Sequence, residues 1–406
     1  MRILFVTNQI PYPPDNGVRI VSHHAMRLMR EASHELALAV LTEEVEDNEK
    51  RFAKAAAFCM DGMAWWMPLP KRRRLDLLFS SLISNHPFFI EHYRSAPFRQ
   101  KLLSLVERFG PDAIHFDLIT MAQYRDVAPG GVRTVASIND SHSLSLVNFL
   151  KEGNFSGIES LYRRLEYRQT RRYEAKTYPQ FDVTHVMSGA DEEHLRSLNP
   201  AIRTAVVPNG VDNSLLGIAG RTMGKTDVIF VAQLTGHNVS SLQQFVELGW
   251  PVVRRQCPDV KLHIVGRIGP EVQRLRARTE HTGSVVFRGY VDRLADAYCE
   301  CGISVAPVNK NSGIVNKVIE SMAAGLVTVG FKKTFAGIPH AIEDQHFLSA
   351  EDYPDMGQAI VDIILDEPRR RAIQIKSRRL AAEHYLWSGR AAAYENMYGS
   401  PGRNIN

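Results

Sequence analysis

The strongest constraint on the fold is a series of short apolar runs that do not alternate with polar residues. Ile3-Leu4-Phe5-Val6 begins the series, a turn with Pro11, Pro13, Pro14 and Gly17 follows, and a helical pattern runs from residue 19 to about residue 31. Leu36-Ala37-Leu38-Ala39-Val40-Leu41 is the next run. Strands apolar on both faces belong in a parallel sheet covered by helices on both sides. Strand, turn, helix, strand is the unit that builds such a sheet. The rhythm continues through Asp112-Ala113-Ile114-His115-Phe116, Arg133-Thr134-Val135-Ala136-Ser137-Ile138, Val183-Thr184-His185-Val186-Met187 and Thr204-Ala205-Val206-Val207. It breaks at Pro208-Asn209-Gly210-Val211-Asp212, where a polar stretch reads as a linker. A second series then starts: Val228-Ile229-Phe230-Val231, Lys261-Leu262-His263-Ile264-Val265-Gly266, Val285-Val286-Phe287, Ile303-Ser304-Val305-Ala306-Pro307 and Leu326-Val327-Thr328-Val329. With 406 residues, the chain has room for two α/β domains of about 200 each.

The predicted boundaries are residues 1–210 for a first Rossmann-like domain and 211–383 for a second. Residues 384–406, within a helical pattern that starts near Glu367, return to the first domain, because Tyr385, Trp387, Tyr394 and Tyr398 are too many aromatics for a loose tail. No run approaches the roughly 18 consecutive apolar residues of a membrane-spanning helix. The first residues lack the apolar core of a secretory leader. Cys59, Cys257, Cys299 and Cys301 are scattered, which fits neither a disulfide framework nor a zinc site. A cytoplasmic setting is expected, without a metal or organic cofactor.

In open parallel sheets, ligands bind beyond the carboxyl ends of the strands. The segment after the strand ending near Pro307 is therefore the richest. A polar loop with Ser312, Gly313, Ile314 and Val315 enters a helix through Asn316 and Lys317, continues through Glu320, and is ended by Gly325. Free amides at such a helix start can hold a phosphate. Lys317 adds positive charge one turn in, and Glu320 can accept hydrogen bonds from ribose hydroxyls. Asp15-Asn16-Gly17 in the first turn offers a glycine that lets a sugar phosphate approach the backbone.

The run from 313 to 325 with Val327-Thr328-Val329 resembles the donor-site helix of family 4 retaining glycosyltransferases, also called glycosyltransferase group 1. Val207-Pro208-Asn209-Gly210-Val211-Asp212 is similar to the interdomain motif of those enzymes. Phe230-Val231-Ala232-Gln233 with Asn238, His263-Ile264-Val265-Gly266-Arg267 and Phe287-Arg288-Gly289-Tyr290-Val291 are similar to their successive strand ends. The pieces keep the family's order over about residues 205–345; residues 1–204 are similar mainly in rhythm.

The resemblance implies the GT-B fold, two doubly wound Rossmann-like domains facing a central cleft. It implies transfer of a sugar from a nucleotide-diphosphate donor to a hydroxyl acceptor with retention, in glycan or glycoconjugate biosynthesis. Gln233, Asn238, Gly266, Arg267, Gly313, Ile314, Val315, Asn316 and Glu320 fall at donor-binding positions, with Gly17 from the first domain. Asp140 and His142 follow a strand end where the family contacts the donor sugar, and with Lys317 they are the candidate catalytic residues. Arg19 and His23 are candidates for the acceptor; His115 and Asp117 end another strand and are weaker candidates. Two departures stand out. Ser312 replaces a frequent glutamate, and Gln233 and Asn238 stand where the family usually has an arginine and a lysine. A protein that binds a nucleotide sugar without transfer therefore stays open, as does a sugar-nucleotide epimerase on the same fold.

Basic residues cluster in Lys71-Arg72-Arg73-Arg74 and in Arg163, Arg164, Arg168, Arg171, Arg172 and Lys176, within a net charge of +5. The first cluster lies between Trp65-Trp66 and the apolar residues Leu75, Leu77, Leu78, Phe79, Leu82 and Ile83. That pattern suits an anionic membrane surface and a lipid-linked acceptor, at the inner face of the membrane. No nucleic-acid motif accompanies the charge, and no Gly-x-Gly-x-x-Gly follows the first strand, which argues against a nicotinamide dehydrogenase.

Overall fold

A computed structural model describes residues 1–43, 45, 47–67, 85–152, 156–279, 282–308 and 315–399. The chain divides into two compact units, Met1–Pro208 with Arg390–Asn406, and Asn209–Gly389. Each is built on one parallel sheet.

In the first unit the strands are β1 (Arg2–Thr7), β2 (Glu35–Glu43), β3 (Asp61–Met67), β4 (Ala113–Asp117), β5 (Arg133–Asn139), β6 (Val183–Val186) and β7 (Thr204–Val206). Their order is β3-β2-β1-β4-β5-β6-β7, and every pairing is parallel. Ile3, Leu4, Phe5 and Val6 are almost wholly buried, as a strand between two helical layers requires. The helix Gly17–Glu31 starts at Asn16, whose side-chain oxygen accepts the Arg19 amide proton at 2.9 Å. Its buried face carries Val21, Ala25, Leu28 and Met29.

In the second unit the strands are β8 (Val228–Val231), β9 (Leu262–Val265), β10 (Val285–Gly289), β11 (Ile303–Ala306), β12 (Val327–Phe331) and β13 (Phe347–Ala350). Their order is β10-β9-β8-β11-β12-β13, again all parallel.

Three expectations need correction. Trp65 and Trp66 lie in the edge strand β3, held by Lys101 over the Trp65 ring at 4.6 Å and by an edge contact between Trp66 and Phe52 at 6.1 Å. Residues 71–83, the rest of that expected basic and apolar segment, lie outside the described residues. The C-terminal helical pattern is not one helix. It breaks between the helix Glu367–His384 and the helix Ala391–Tyr398. Residues 385–389 stay with the second unit, because Val211 donates to the Tyr385 carbonyl at 2.6 Å and Trp387 donates to the Val211 carbonyl at 3.2 Å. Among the described residues no helix is long and apolar enough to cross a membrane.

The helix Ala391–Tyr398 docks on the first unit's sheet through buried polar groups. The Tyr398 hydroxyl pairs with His115 Nδ1 at 2.8 Å, and Arg133 Nε donates to the Met397 carbonyl at 3.2 Å. The Tyr394 ring meets His185 edge-on at 5.5 Å. His185 also pairs with Ser137 Oγ at 2.8 Å and with the Val207 carbonyl at 2.9 Å. Burial depresses both imidazoles, His115 to about 3 and His185 to about 4.

The rings therefore stay neutral in the fold, while the unfolded chain takes up protons below about 6.5. Their contribution is fully present above that pH and is lost as pH falls towards 4. Between pH 7.5 and 5 each histidine should cost about 2 kcal/mol of stability. Asp117, raised to about 6 by burial, acts in the opposite direction. Urea titration of His185→Gln should therefore show a smaller acid loss than wild type by roughly that amount.

A second prediction concerns Gly357 in the helix Tyr353–Leu365. A Cβ there would stand 2.3 Å from the Gly249 carbonyl oxygen. Gly357→Ala should destabilise the second unit by about 1–3 kcal/mol in the same assay.

Candidate active site

In the second unit the sheet reverses its winding between β8 and β11, and a ligand crevice opens at the carboxyl ends of strands at such a point. The segment after β8 carries Gln233 and enters the helix His237–Gln244. Asn238 Nδ2 donates to the Gln233 main-chain carbonyl at 3.0 Å. That bond turns Asn238 Oδ1 towards Lys317, whose ammonium lies 3.5 Å away. The same ammonium sits 4.8 Å above the Phe230 ring, a residue of β8 itself.

Lys317 stands in the first turn of the helix Asn316–Ala323, which follows β11. Val315 is the N-cap residue and has no side-chain oxygen to cap the first amides. Asn316 Oδ1 accepts from Asn209 Nδ2 at 2.6 Å, which fastens the helix start to the Pro208-Asn209-Gly210 segment. That segment is itself held: a Cβ on Gly210 would stand 2.7 Å from the Trp387 ring. Gly325 follows the helix with φ +76°, the left-handed backbone expected of a residue that stops it.

Glu320 lies one turn beyond Lys317. Burial pushes its carboxyl up to about 7, opposed by the Tyr298 hydroxyl beside it and by the Lys317 charge. Burial likewise lowers Lys317 to about 8, with Glu320 opposing. Each group limits the other's loss of charge, so a cation survives in a largely desolvated place at neutral pH.

Gly266 has a use within the fold itself. Its φ is +151°, and a Cβ would stand 2.1 Å from the Ala232 carbonyl oxygen. The missing side chain accommodates the protein's own backbone where the ends of β8 and β9 close together. Arg267 is exposed and lies over the Tyr290 ring at 5.1 Å. Ser312, Gly313 and Ile314 lie outside the described residues. The second unit thus brings together Gln233, Asn238, Asn316, Lys317 and Glu320, with Val315 at the helix start.

The first unit changes winding direction between β1 and β4. There Asp117 is wholly buried and accepts from Thr7 Oγ1 at 3.0 Å and from Ser22 Oγ. His115 is not at this strand end; it lies inward, under the C-terminal helix. Gly17 is exposed and takes the first helical position rather than a glycine-only turn. Arg19 Nη1 pairs with Asp15 at 2.7 Å, and the His23 ring meets His24 and Phe58 edge-on at 5.4 and 5.5 Å.

After β5, Asn139 adopts φ +64° and Asp140 donates its amide to the Ile138 carbonyl at 2.9 Å. The His142 ring lies against Phe89 at 5.4 Å, and burial holds it below its ordinary range. Glu174 fixes this turn. Its carboxylate accepts the His142 amide at 2.9 Å and the hydroxyls of Ser141 and Ser143. It supplies negative charge at a helix start, where free amides favour it. Burial raises Glu174 to about 7. Sequence reasoning missed this residue inside a basic stretch. The available signal was its place beside Tyr173 and four residues before Tyr178, on the face that is buried.

Two family models match the chain: Glycosyltransferase Family 4 over residues 16–215, and Glycosyl transferases group 1 over residues 225–366. The chain belongs to the group 1, family 4 glycosyltransferases. This glycosyltransferase also has the GT-B fold of solved structures. It is similar to sucrose-phosphate synthase from Thermosynechococcus elongatus, at 16% identity over 98% of each chain with a TM-score of 0.71. It is similar to Anabaena HepE in complex with UDP and glucose, at 13% identity over 97% of this chain and 98% of that one, TM-score 0.66. A TarM mutant from S. aureus, in complex with Fondaparinux, alpha-GlcNAc-glycerol and UDP, matches at 10% identity over 98% of this chain and 100% of that one, TM-score 0.68. No curated protein matches the glycosyltransferase in sequence.

The coupling of Lys317 and Glu320 can be measured directly in this enzyme. In Lys317→Met the Glu320 carboxyl loses its only favourable charge among its named neighbours. Its titration midpoint, followed by carboxyl carbon NMR, should rise by about one unit. An unchanged midpoint would show that the two groups do not interact.

Proposed function

We propose that the enzyme transfers a sugar from a nucleoside-diphosphate donor to a hydroxyl of a glycan or lipid-linked acceptor, with retention, in glycan biosynthesis. The observation that carries this is Lys317: a half-buried cation in the first turn of a helix, at the carboxyl ends of the strands where the sheet reverses its winding. The amides of that helix start and the ammonium converge on the kind of place a diphosphate occupies. Solved structures of similar fold, HepE and TarM, contain UDP, which supports the same donor class here.

In this reading Lys317 takes the charge role that an arginine and a lysine after the first C-domain strand usually share. Asn238 orients the ammonium, and Asn209 holds Asn316 and so the helix start. Glu320 accepts hydrogen bonds from the donor ribose. Val315 and Asn316 contribute main-chain amides to the diphosphate. Asp140 and His142, on the turn held by Glu174, meet the donor sugar, and Arg19 and His23 meet the acceptor. The departing diphosphate receives the acceptor's proton on the face where the new bond forms, so no protein nucleophile is needed. The protein's part is positioning and stabilising negative charge on the leaving group. No metal enters this scheme.

An anionic diphosphate beside Lys317 favours its charged form, so donor binding raises the ammonium above its resting value of about 8. Removing one well-placed charge donor typically costs on the order of 10²–10³ in rate. Lys317→Ala should lower turnover at least about tenfold, while Glu320→Ala should chiefly weaken donor affinity in calorimetry. Near-normal turnover in a folded Lys317→Ala enzyme would sink the role given to Lys317. Binding of nucleoside diphosphates without transfer or hydrolysis of any nucleotide sugar would favour a non-catalytic binder.

A further inference from the structure

The basic helix Gly157–Thr177 is not absorbed by the chemistry above. Its exposed positions are Leu161, Arg164, Leu165, Arg168, Arg171, Arg172 and Lys176, apart from its first residues. At 3.6 residues per turn these seven fall within an arc of about 140°, along a helix about 30 Å long. The opposite face is buried through Gln169, Thr170, Tyr173 and Glu174.

Five of the seven are cations and two are leucines, and none is acidic. The chain's net charge is +5, so this one face carries an excess equal to that of the entire molecule. A solvated helix face normally intersperses acids four residues from its cations. Of the helix's three acids, Glu159 is exposed in the first turn but outside this arc, Glu166 is half-buried and pairs with Arg163 at 3.2 Å, and Glu174 is buried. Among the described residues, Arg164, Arg168, Arg171, Arg172 and Lys176 form no ion pair.

The apolar members are as informative as the charges. Leu161 is 70% exposed and Leu165 is 38% exposed, and both stand at the amino-terminal end of the stripe. Phe149, 47% exposed on the packed neighbouring helix His142–Glu152, lies under the Arg163 guanidinium at 5.5 Å. A soluble polyanion would need the cations but not exposed leucines. A bilayer with acidic headgroups uses both, because arginines meet the phosphates while leucines and phenylalanine enter the interface.

We infer that the outward face of the helix Gly157–Thr177 docks the enzyme onto an acidic phospholipid bilayer. The face lies on a different part of the chain from residues 71–83 and does not depend on them. Such docking would deliver the enzyme to acceptors carried on lipid.

The test is co-sedimentation of the full-length protein with vesicles of phosphatidylcholine containing about one-third phosphatidylglycerol. Binding should be strong at low salt, should fall steeply as salt is raised, and should be absent on pure phosphatidylcholine. Reversing Arg164, Arg168 and Arg172 to glutamate should reduce partitioning at least about tenfold. Leu161→Ser with Leu165→Ser keeps every charge and should still weaken binding about threefold or more. Four alanines at Lys71, Arg72, Arg73 and Arg74 should have a smaller effect than the triple reversal. Circular dichroism and the melting temperature verify that each variant is folded.

The inference is overturned if wild type ignores acidic vesicles or binds neutral ones equally. It is also overturned if the triple reversal partitions normally, or if the leucine variant is unchanged and a soluble polyanion such as heparin competes fully. The readout involves neither donor nor turnover, so its failure would leave the proposed transfer reaction standing.

Discussion

A parallel strand covered by helices on both faces has nowhere to put chemistry except its ends. That restriction governs both units. Along β1, β2, β8 and β11 the buried positions are almost all apolar, and the polar residues with unusual environments appear where the strands stop. Asp117, Asn139 and Asp140 stand at such ends in the first unit, and Gln233, Asn238 and Lys317 follow them in the second. Every strand in each sheet points the same way, so these residues collect on one edge of the sheet rather than being spread over it.

The cation at the second unit's sheet edge is maintained against a considerable cost. A lysine ammonium withdrawn from water tends to lose its proton. Three features oppose that loss: the Glu320 charge one turn away, the Asn238 oxygen and the face of the Phe230 ring. None is a close, full ion pair, so the positive charge remains available to an incoming anion. A tight salt bridge would have neutralised it. The same logic applies in reverse at Glu174, where a buried carboxylate is taken up by hydroxyls and amides and is spent on holding a turn.

Much of this was legible without coordinates. The non-alternating runs marked eleven of the strands in two series, and the loop-to-helix pattern before Gly325 marked the donor-side helix with Lys317 and Glu320. Other features were not legible because they depend on neighbours distant in sequence. The edge strand β3 is half-buried throughout and carries two tryptophans, so its pattern resembles an amphipathic surface segment. Gly266 resembled a ligand-contacting glycine, yet the group that occupies its missing side chain is the carbonyl of Ala232. Glu174 sits among arginines in sequence and among serines in space.

The sequence by itself determined the class of fold and the family, because periodicity and motif order are properties of the chain alone. It also determined which helix start bears a lysine and a glutamate three residues apart. Only the tertiary structure decided what those residues experience. Burial moves Lys317 and Glu320 towards each other's titration range; Asn238 and Tyr298 approach them, and Asn209 holds the neighbouring Asn316 from a segment 107 residues away. Desolvation and long-range hydrogen bonding are set by packing, and packing is not written in any local stretch of sequence.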